Sequence, residues 1–221
     1  MPFAPQLPPH ALIYLITSGR TSPATTPDSK ELQDILELIR LAVAAKIDIV
    51  QIREKNLSVS VLYELARAAS AITSGTATRL LVNDRADVAA AAGADGVHLA
   101  GTSLQTDVVR RTFGPEFLIG VSTHSMDEVV DAQRDGADFA VFGPVFETNS
   151  KKQYGPPLGL SALVASSSRV APFPILALGG VTQSLTRACL VAGARGVAGI
   201  SMFQEPQRLG EIANSIRQAS T

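Results

Sequence analysis

With a single cysteine, Cys189, among 221 residues, the chain cannot close an internal disulfide. That excludes a small cross-linked secreted scaffold and fits a reducing compartment. Charge of either sign is not in excess either: 19 Lys and Arg stand against 20 Asp and Glu, a formal net charge of -1 at pH 7. A nucleic-acid partner relies on a general attraction to phosphate that this balance does not supply. Anion binding therefore has to come from a local site, and small phosphates are the expected ligands. Long apolar runs are missing too. Ala11 to Ile16 and Val88 to Ala92 fall well short of the roughly 20 residues a membrane-spanning helix needs, so no membrane is expected as a partner. Met1 to His10 holds four prolines and no Lys or Arg, which lacks the basic start and long apolar core of a secretion signal. Residues 1–11 read as an extended leader of a cytoplasmic protein. What is present, 46% hydrophobic and 18% charged residues, is a globular composition that excludes disorder and collagen. The length suits one α/β barrel domain over 12–221.

Short β-rich apolar runs recur along that domain, each followed by a turn and a longer segment of helical character. Eight strand candidates emerge: Leu12 to Thr17, Ile47 to Arg53, Arg79 to Asn83, Gly96 to Leu99, Leu118 to Ser122, Phe139 to Gly143, Ile175 to Gly179 and Gly196 to Ser201. Eight helix candidates alternate with them, from Ser29 to Ala45 through Pro206 to Gln218. Continuous apolar strands joined by helices indicate a parallel sheet covered on both faces, and eight such units favour closure into a (β/α)8 TIM barrel. Gly93-Ala94-Asp95, Gly136-Ala137-Asp138 and Gly193-Ala194-Arg195 each end a helix with glycine and lead into a strand, a weak internal repeat. The apolar stretch Ala188 to Ala192 offers a face for pairing with a second copy, a homo-oligomer. The long segments Gly19 to Asp28 and Glu147 to Leu158 follow strands, which puts both at the C-terminal mouth where barrel active sites are built.

Polar residues at strand ends are therefore the informative ones. In Gln51-Ile52-Arg53-Glu54-Lys55, a period of two puts Gln51, Arg53 and Lys55 on one face, suited to an anion, or to an ion-paired strand end. Asp84, after Val82-Asn83, is either a cap for the helix that follows or a ligand for Mg2+, with Asp87 or Asp107 as further candidates. His98 reads as a packed barrel residue. Ser122, Thr123 and His124 bring two hydroxyls and an imidazole to one loop, where a hydroxyl suits a phosphate and His124 suits proton transfer; Ser125 with Glu128 caps the next helix. Thr148, Ser150, Lys151 and Lys152 alternate hydroxyls with cations in a loop able to close on a diphosphate, or stand as solvated surface lysines. Gly179-Gly180 and Gly199-Ile200-Ser201 end the last two strands, where barrels hold phosphate. Together these ends suit a ligand with more than one phosphate-bearing part.

The runs Val50-Gln51-Ile52-Arg53-Glu54-Lys55-Asn56-Leu57, Val82-Asn83-Asp84-Arg85, Gly93-Ala94-Asp95-Gly96-Val97-His98-Leu99, Gly120-Val121-Ser122-Thr123-His124, Phe142-Gly143-Pro144-Val145-Phe146 and Ala177-Leu178-Gly179-Gly180-Val181-Thr182 resemble, in order, the motif series of the thiamine phosphate synthase and thiazole tautomerase (TenI-like) superfamily. The resemblance implies a barrel enzyme of thiamine biosynthesis. The synthase, a transferase, joins hydroxymethylpyrimidine diphosphate to thiazole phosphate and releases diphosphate. Carried over residue by residue, it implies that Gln51 contacts the pyrimidine, while Arg53, Lys55, Asn83, Thr148, Ser150 and Lys151 surround its diphosphate. It further implies that Asp84 binds Mg2+, that Ser122 contacts the diphosphate or reacting centre, and that Gly179, Ile200 and Ser201 hold the thiazole phosphate.

One position departs from the synthase pattern. After the His98 strand that pattern continues Leu-Gly-Gln-x-Asp, but this chain reads Leu99-Ala100-Gly101-Thr102-Ser103, so Ser103 stands where a second metal-binding aspartate is expected. The change resembles the tautomerase branch, which isomerises the thiazole phosphate with a histidine at the position of His124. Gln51, Lys55 and Asp84 resemble the synthase. Three functions follow as expectations: an Mg2+-dependent synthase, a metal-independent thiazole tautomerase acting through His124, and a non-catalytic barrel that binds thiazole or thiamine phosphates as a regulator.

Overall fold

A computed structural model describes residues 7–148 and 156–219. Its elements alternate without a break: β1 (Leu12–Ile16), α1 (Lys30–Ala44), β2 (Ile49–Ile52), α2 (Val59–Thr73), β3 (Arg79–Asn83), α3 (Ala86–Ala91), β4 (Gly96–Leu99), α4 (Thr106–Phe113), β5 (Leu118–Thr123), α5 (Met126–Arg134), β6 (Phe139–Phe142), α6 (Gly159–Val170), β7 (Ile175–Ala177), α7 (Gln183–Val191), β8 (Gly196–Gly199) and α8 (Leu209–Gln218). The strands pair in parallel and in sequence order, and β1 closes on β8 with Tyr14 opposite Ala198. This is the expected (β/α)8 barrel.

Successive side chains of a strand point to opposite faces, so each apolar strand serves two cores. Leu12, Tyr14, Ile16, Ile49, Leu81, Leu118, Phe139, Val141, Leu176 and Ala198 fill the barrel interior. Ile13, Leu15, Val50, Ile52, Val82, Val97 and Ile119 face outward and pack under the helices. Of the stretch Ala188 to Ala192, Cys189 and Ala192 are spent on this core, while Val191 is exposed.

The Gly-Ala-Asp repeat closes the N-terminal end. Asp95 Oδ2 accepts the backbone N–H of Leu80 at 2.8 Å, and Asp138 Oδ2 that of Ile119 at 2.6 Å. Asp48, which lies outside the repeat, does the same for Ile13 at 2.9 Å. Burial pushes the Asp138 carboxyl up from its ordinary range, opposed by the Ile119 N–H and by Arg110 2.7 Å away. At the fourth such place stands Arg195, whose guanidinium donates to the carbonyls of His10 and Pro8, while Leu7 packs against the interior.

Strand ends differ from the sequence expectation at β7 and β8. β7 stops at Ala177 because Gly179 and Gly180 turn left-handed, with φ of 91° and 65°. β8 stops at Gly199, and Ser201–Phe203 form a 3-10 turn. A second 3-10 turn, Pro206–Arg208, precedes α8, where the sequence pattern reads as one helix.

Candidate active site

At the C-terminal mouth, polar side chains form one directional hydrogen-bonded chain. A carboxylate only accepts, so Asp84 fixes the polarity of everything behind it. Asn83 Nδ2 donates to Asp84 Oδ2 at 2.6 Å, which leaves Asn83 Oδ1 to accept from Gln51 Nε2 at 2.9 Å. Gln51 Oε1 in turn accepts from the Tyr14 hydroxyl at 3.0 Å. On its other side Asp84 Oδ1 accepts from Ala100 N at 3.3 Å and from Ser103 Oγ. Asp84 is held for this with φ 61°, in the left-handed region that Asp tolerates better than most side chains. It is not a helix cap: Arg85 takes the N-cap position of α3, without a side-chain cap.

Tyr14 is the member that the sequence reading missed. It is fully buried, and desolvation holds its phenol well above the ordinary range, so it stays a donor. The available signal was a lone tyrosine in an otherwise aliphatic strand, since a buried tyrosine hydroxyl usually finds a partner. Tyr14→Phe leaves the Gln51 carbonyl without this donor; we expect about 1 to 3 kcal/mol lower stability in urea unfolding, with Gln51 free to reorient.

A carboxylate offers about four acceptor positions. Three at Asp84 are taken by Asn83, Ala100 and Ser103, and the remaining one can accept a cation. One carboxylate, with the rest of the shell from water and substrate phosphate, is an ordinary arrangement for Mg2+, and the residues fit that ion. Asp87 and Asp107 do not join it: they pair with Arg85 at 2.6 Å and Arg111 at 2.6 Å. Among the described residues no three His, Cys, Asp or Glu side chains cluster to form a cage.

The cations divide. β2 pairing ends at Ile52, and the alternation expected to group Lys55 with Gln51 and Arg53 stops with it. Lys55 is exposed and lines a cavity of about 290 Å³ together with Ile52, Glu54, Asn83, Asp84 and Arg85. Arg53 is half-buried, and its charge acts on His98 inside the barrel mouth. Glu54 is buried and accepts from Gly19 N at 3.1 Å, Thr21 N at 3.2 Å and Thr21 Oγ1 at 2.8 Å, so it anchors the loop after β1. A larger cavity, about 420 Å³, lies at the opposite end beside Pro9, His10 and Ala11, where Arg195 is already committed to backbone carbonyls.

On the far wall of the mouth, His98 is packed as expected, between Tyr14 and Phe139 at centroid distances of 5.7 and 6.3 Å, with Nε2 2.9 Å from Ser122 Oγ. Burial pushes its pKa down to about 4, with Asp84 opposing and Arg53 assisting. The unfolded ring titrates near 6.5, so between pH 6.5 and 4 the unfolded chain binds the extra proton. Stability is therefore fully present above pH 6.5 and falls as pH drops toward 4, by roughly 3 kcal/mol from this residue. Urea midpoints measured across that window should show the slope, and His98→Gln should remove it.

His124, on the loop after β5, is exposed, and its Nδ1 bonds the carbonyl of Gly143. A carbonyl only accepts, so the proton sits on Nδ1 and Nε2 of the neutral ring carries a lone pair. The expected cap is present, with Ser125 Oγ accepting from Glu128 N at 3.2 Å. Gly179 and Gly180 serve close packing: a Cβ on Gly179 would stand 2.5 Å from Pro144 Cα, and one on Gly180 2.4 Å from the Glu147 carbonyl oxygen. Ile200 joins the interior cluster and Ser201 is exposed beside that turn. Thr148 is half-buried; Ser150, Lys151 and Lys152 lie outside the described residues.

A family model described as thiamine monophosphate synthase matches residues 14–203. The thiamine-phosphate synthase of Methanoculleus marisnigri is 41% identical over 181 residues, covering 82% of this chain and 85% of its own. That of Moorella thermoacetica is 38% identical over 186 residues, covering 84% and 88%. A solved structure, the thiamine phosphate pyrophosphorylase from Pyrococcus furiosus, aligns with a TM-score of 0.79 at 28% identity over 95% of this chain and 97% of that one. In the described residues no helix is long and apolar enough to cross a membrane. Sequence motifs, fold and relatives agree, and the chain belongs to the thiamine monophosphate synthase family.

Proposed function

We propose that this chain is a thiamine phosphate synthase, joining hydroxymethylpyrimidine diphosphate to thiazole phosphate with release of diphosphate. The observation that carries the reading is the connected chain from Tyr14 through Gln51 and Asn83 to Asp84, which presents an amide for the pyrimidine beside a carboxylate at the mouth. Gln51 orients the ring. Arg53, Lys55 and Asn83, with Thr148, Ser150 and Lys151 from the loop after β6, hold the diphosphate. Asp84 is the residue that would hold Mg2+, and the ion supplies charge neutralisation for the leaving diphosphate when bound. Cations poised on that leaving group lower the cost of breaking the pyrimidine-methyl carbon–oxygen bond, whose electron pair departs with diphosphate. The thiazole nitrogen captures the resulting carbocation, and Gly179, Ile200 and Ser201 hold the thiazole phosphate. Ser122 contacts the diphosphate or the reacting centre, and no covalent enzyme intermediate is required. A cytoplasmic setting suits the buried free thiol of Cys189.

The test is purified protein with both substrates and Mg2+, following thiamine phosphate by fluorescence after oxidation, with EDTA as the control. Metal-dependent product supports the reading; its absence overturns it. A second reading, thiazole tautomerase, draws on Ser103 in place of an aspartate and on His124, whose Nδ1 contact with the Gly143 carbonyl leaves Nε2 without its own proton in the neutral ring. Under that reading His124→Ala stops proton exchange on the thiazole phosphate alone, with no metal requirement.

A further inference from the structure

His98 and Ser122 form a buried pair whose direction can be worked out from their surroundings. The His98 ring is 3% exposed, its Nε2 lies 2.9 Å from Ser122 Oγ, and its Nδ1 has no hydrogen-bond partner among the described residues. A serine hydroxyl has one proton and two lone pairs, and a neutral imidazole has one N–H and one bare nitrogen. Two arrangements are therefore available. If Ser122 donated to Nε2, the proton of the ring would sit on Nδ1, a buried N–H with nothing to accept it, which is among the rarest features of folded proteins. If Nε2 donates to Ser122, Nδ1 is a bare lone pair. Beside Nδ1 lies Gly120, where a Cβ would stand 2.8 Å from that nitrogen and 2.4 Å from Phe139 Cζ, so a glycine C–H and aromatic carbon, and among the described residues no oxygen or nitrogen acceptor, surround it. A C–H is a weak donor, which suits a lone pair and opposes an N–H.

We propose that His98 is a positioning residue: it donates from Nε2 to Ser122 Oγ, and thereby commits the Ser122 proton to the mouth as a hydrogen-bond donor. This is the reverse of a serine–histidine nucleophile pair, in which the imidazole accepts the hydroxyl proton. Ser122 is thus denied a base and cannot be the attacking group. A donor into its oxygen also makes its own proton a better one to donate. On the synthase reading, which this inference deepens, that proton meets the oxygens of the leaving diphosphate.

Two measurements test it. Long-range proton–nitrogen correlation on the free protein at neutral pH reads the His98 tautomer independently of any reaction; the expected signature is a protonated Nε2 and a bare Nδ1, and a protonated Nδ1 overturns the proposal. The second compares His98→Gln, whose Nε2 amide reaches Ser122 as a donor, with the shorter His98→Asn. The Gln variant should keep kcat within about threefold of the parent, while the Asn variant loses about tenfold to a hundredfold in kcat with KM nearly unchanged. Equal losses in both variants, with both folded by circular dichroism, overturn the role. Absence of thiamine phosphate from the parent protein would sink the synthase reading instead, while the tautomer still decides the direction of the pair.

Discussion

Asp84→Asn is expected to cut kcat/KM for thiamine phosphate formation by about a thousandfold while the protein stays folded. Asparagine is the informative substitution because residue 84 has φ 61°, which Asn tolerates and Ala does not without a cost of about 1 kcal/mol. The change removes the one carboxylate in the hydrogen-bonded chain and does more besides. If the new amide keeps its oxygen toward Ala100 N and Ser103, its NH2 faces Asn83 Nδ2, and two donors meet. Asn83 then turns over, which puts its NH2 against that of Gln51, and Gln51 turns over against the rotatable Tyr14 hydroxyl. One substitution at the mouth thus reverses amides as far as β1. Steady-state kinetics with Mg2+ titration gives the loss, and side-chain amide signals of Gln51 and Asn83 should shift together. Turnover equal to the parent would remove Asp84 from the mechanism.

Gly96→Ala should be the most damaging single methyl group in the molecule. A Cβ there would lie 1.9 Å from the carbonyl oxygen of Leu118 and 2.6 Å from its carbon, both backbone atoms of the adjacent strand. Gly96 and Leu118 are register partners in β4 and β5, so relief requires parting two strands of a closed barrel. We expect a loss of about 4 kcal/mol or more, a fall in Tm of roughly 10 °C, or failure to accumulate folded protein. Gly210→Ala is the matched control. Gly210 lies in the first turn of α8 with open space around it, and there alanine should be neutral or stabilise by about 0.5 kcal/mol. A Gly96→Ala protein with the parent's melting temperature would refute the clash.

The fold was legible because strand and helix periods differ and each of the eight units carries its own turn, so alternation alone reaches the barrel. The strand ends were less so. Gly179-Gly180 suggested a backbone opened to a ligand, and the structure adds a second demand on both glycines, since Pro144 and Glu147 of the segment after β6 press against them. A glycine says that something comes close, and sequence does not say what. Lys55 was grouped with Gln51 by a period of two that holds only while pairing continues, and pairing ends three residues before it. Gln51, Asn83, Asp84 and Ser103 were each singled out, but their joining into one chain depends on register across β1, β2, β3 and β4, which no local pattern contains. Tyr14 stood out as the lone tyrosine of an aliphatic strand, but its partner Gln51 follows only from that register.

The carboxylates at the foot of the barrel have a consequence for how it comes apart. Asp48, Asp95 and Asp138 each tie a strand to the one before it, stitching β1 to β2, β3 to β4 and β5 to β6 into hemmed pairs. Between β7 and β8 the corresponding residue is Arg195, which reaches instead to the start of the chain. Of these four alternate pairs the last is therefore the one without a carboxylate stitch, secured through Arg195 to Pro8 and His10 instead. Removing residues 1–10 should let the cylinder loosen there, with the amides of β7 and β8 exchanging with solvent before those of the three stitched pairs.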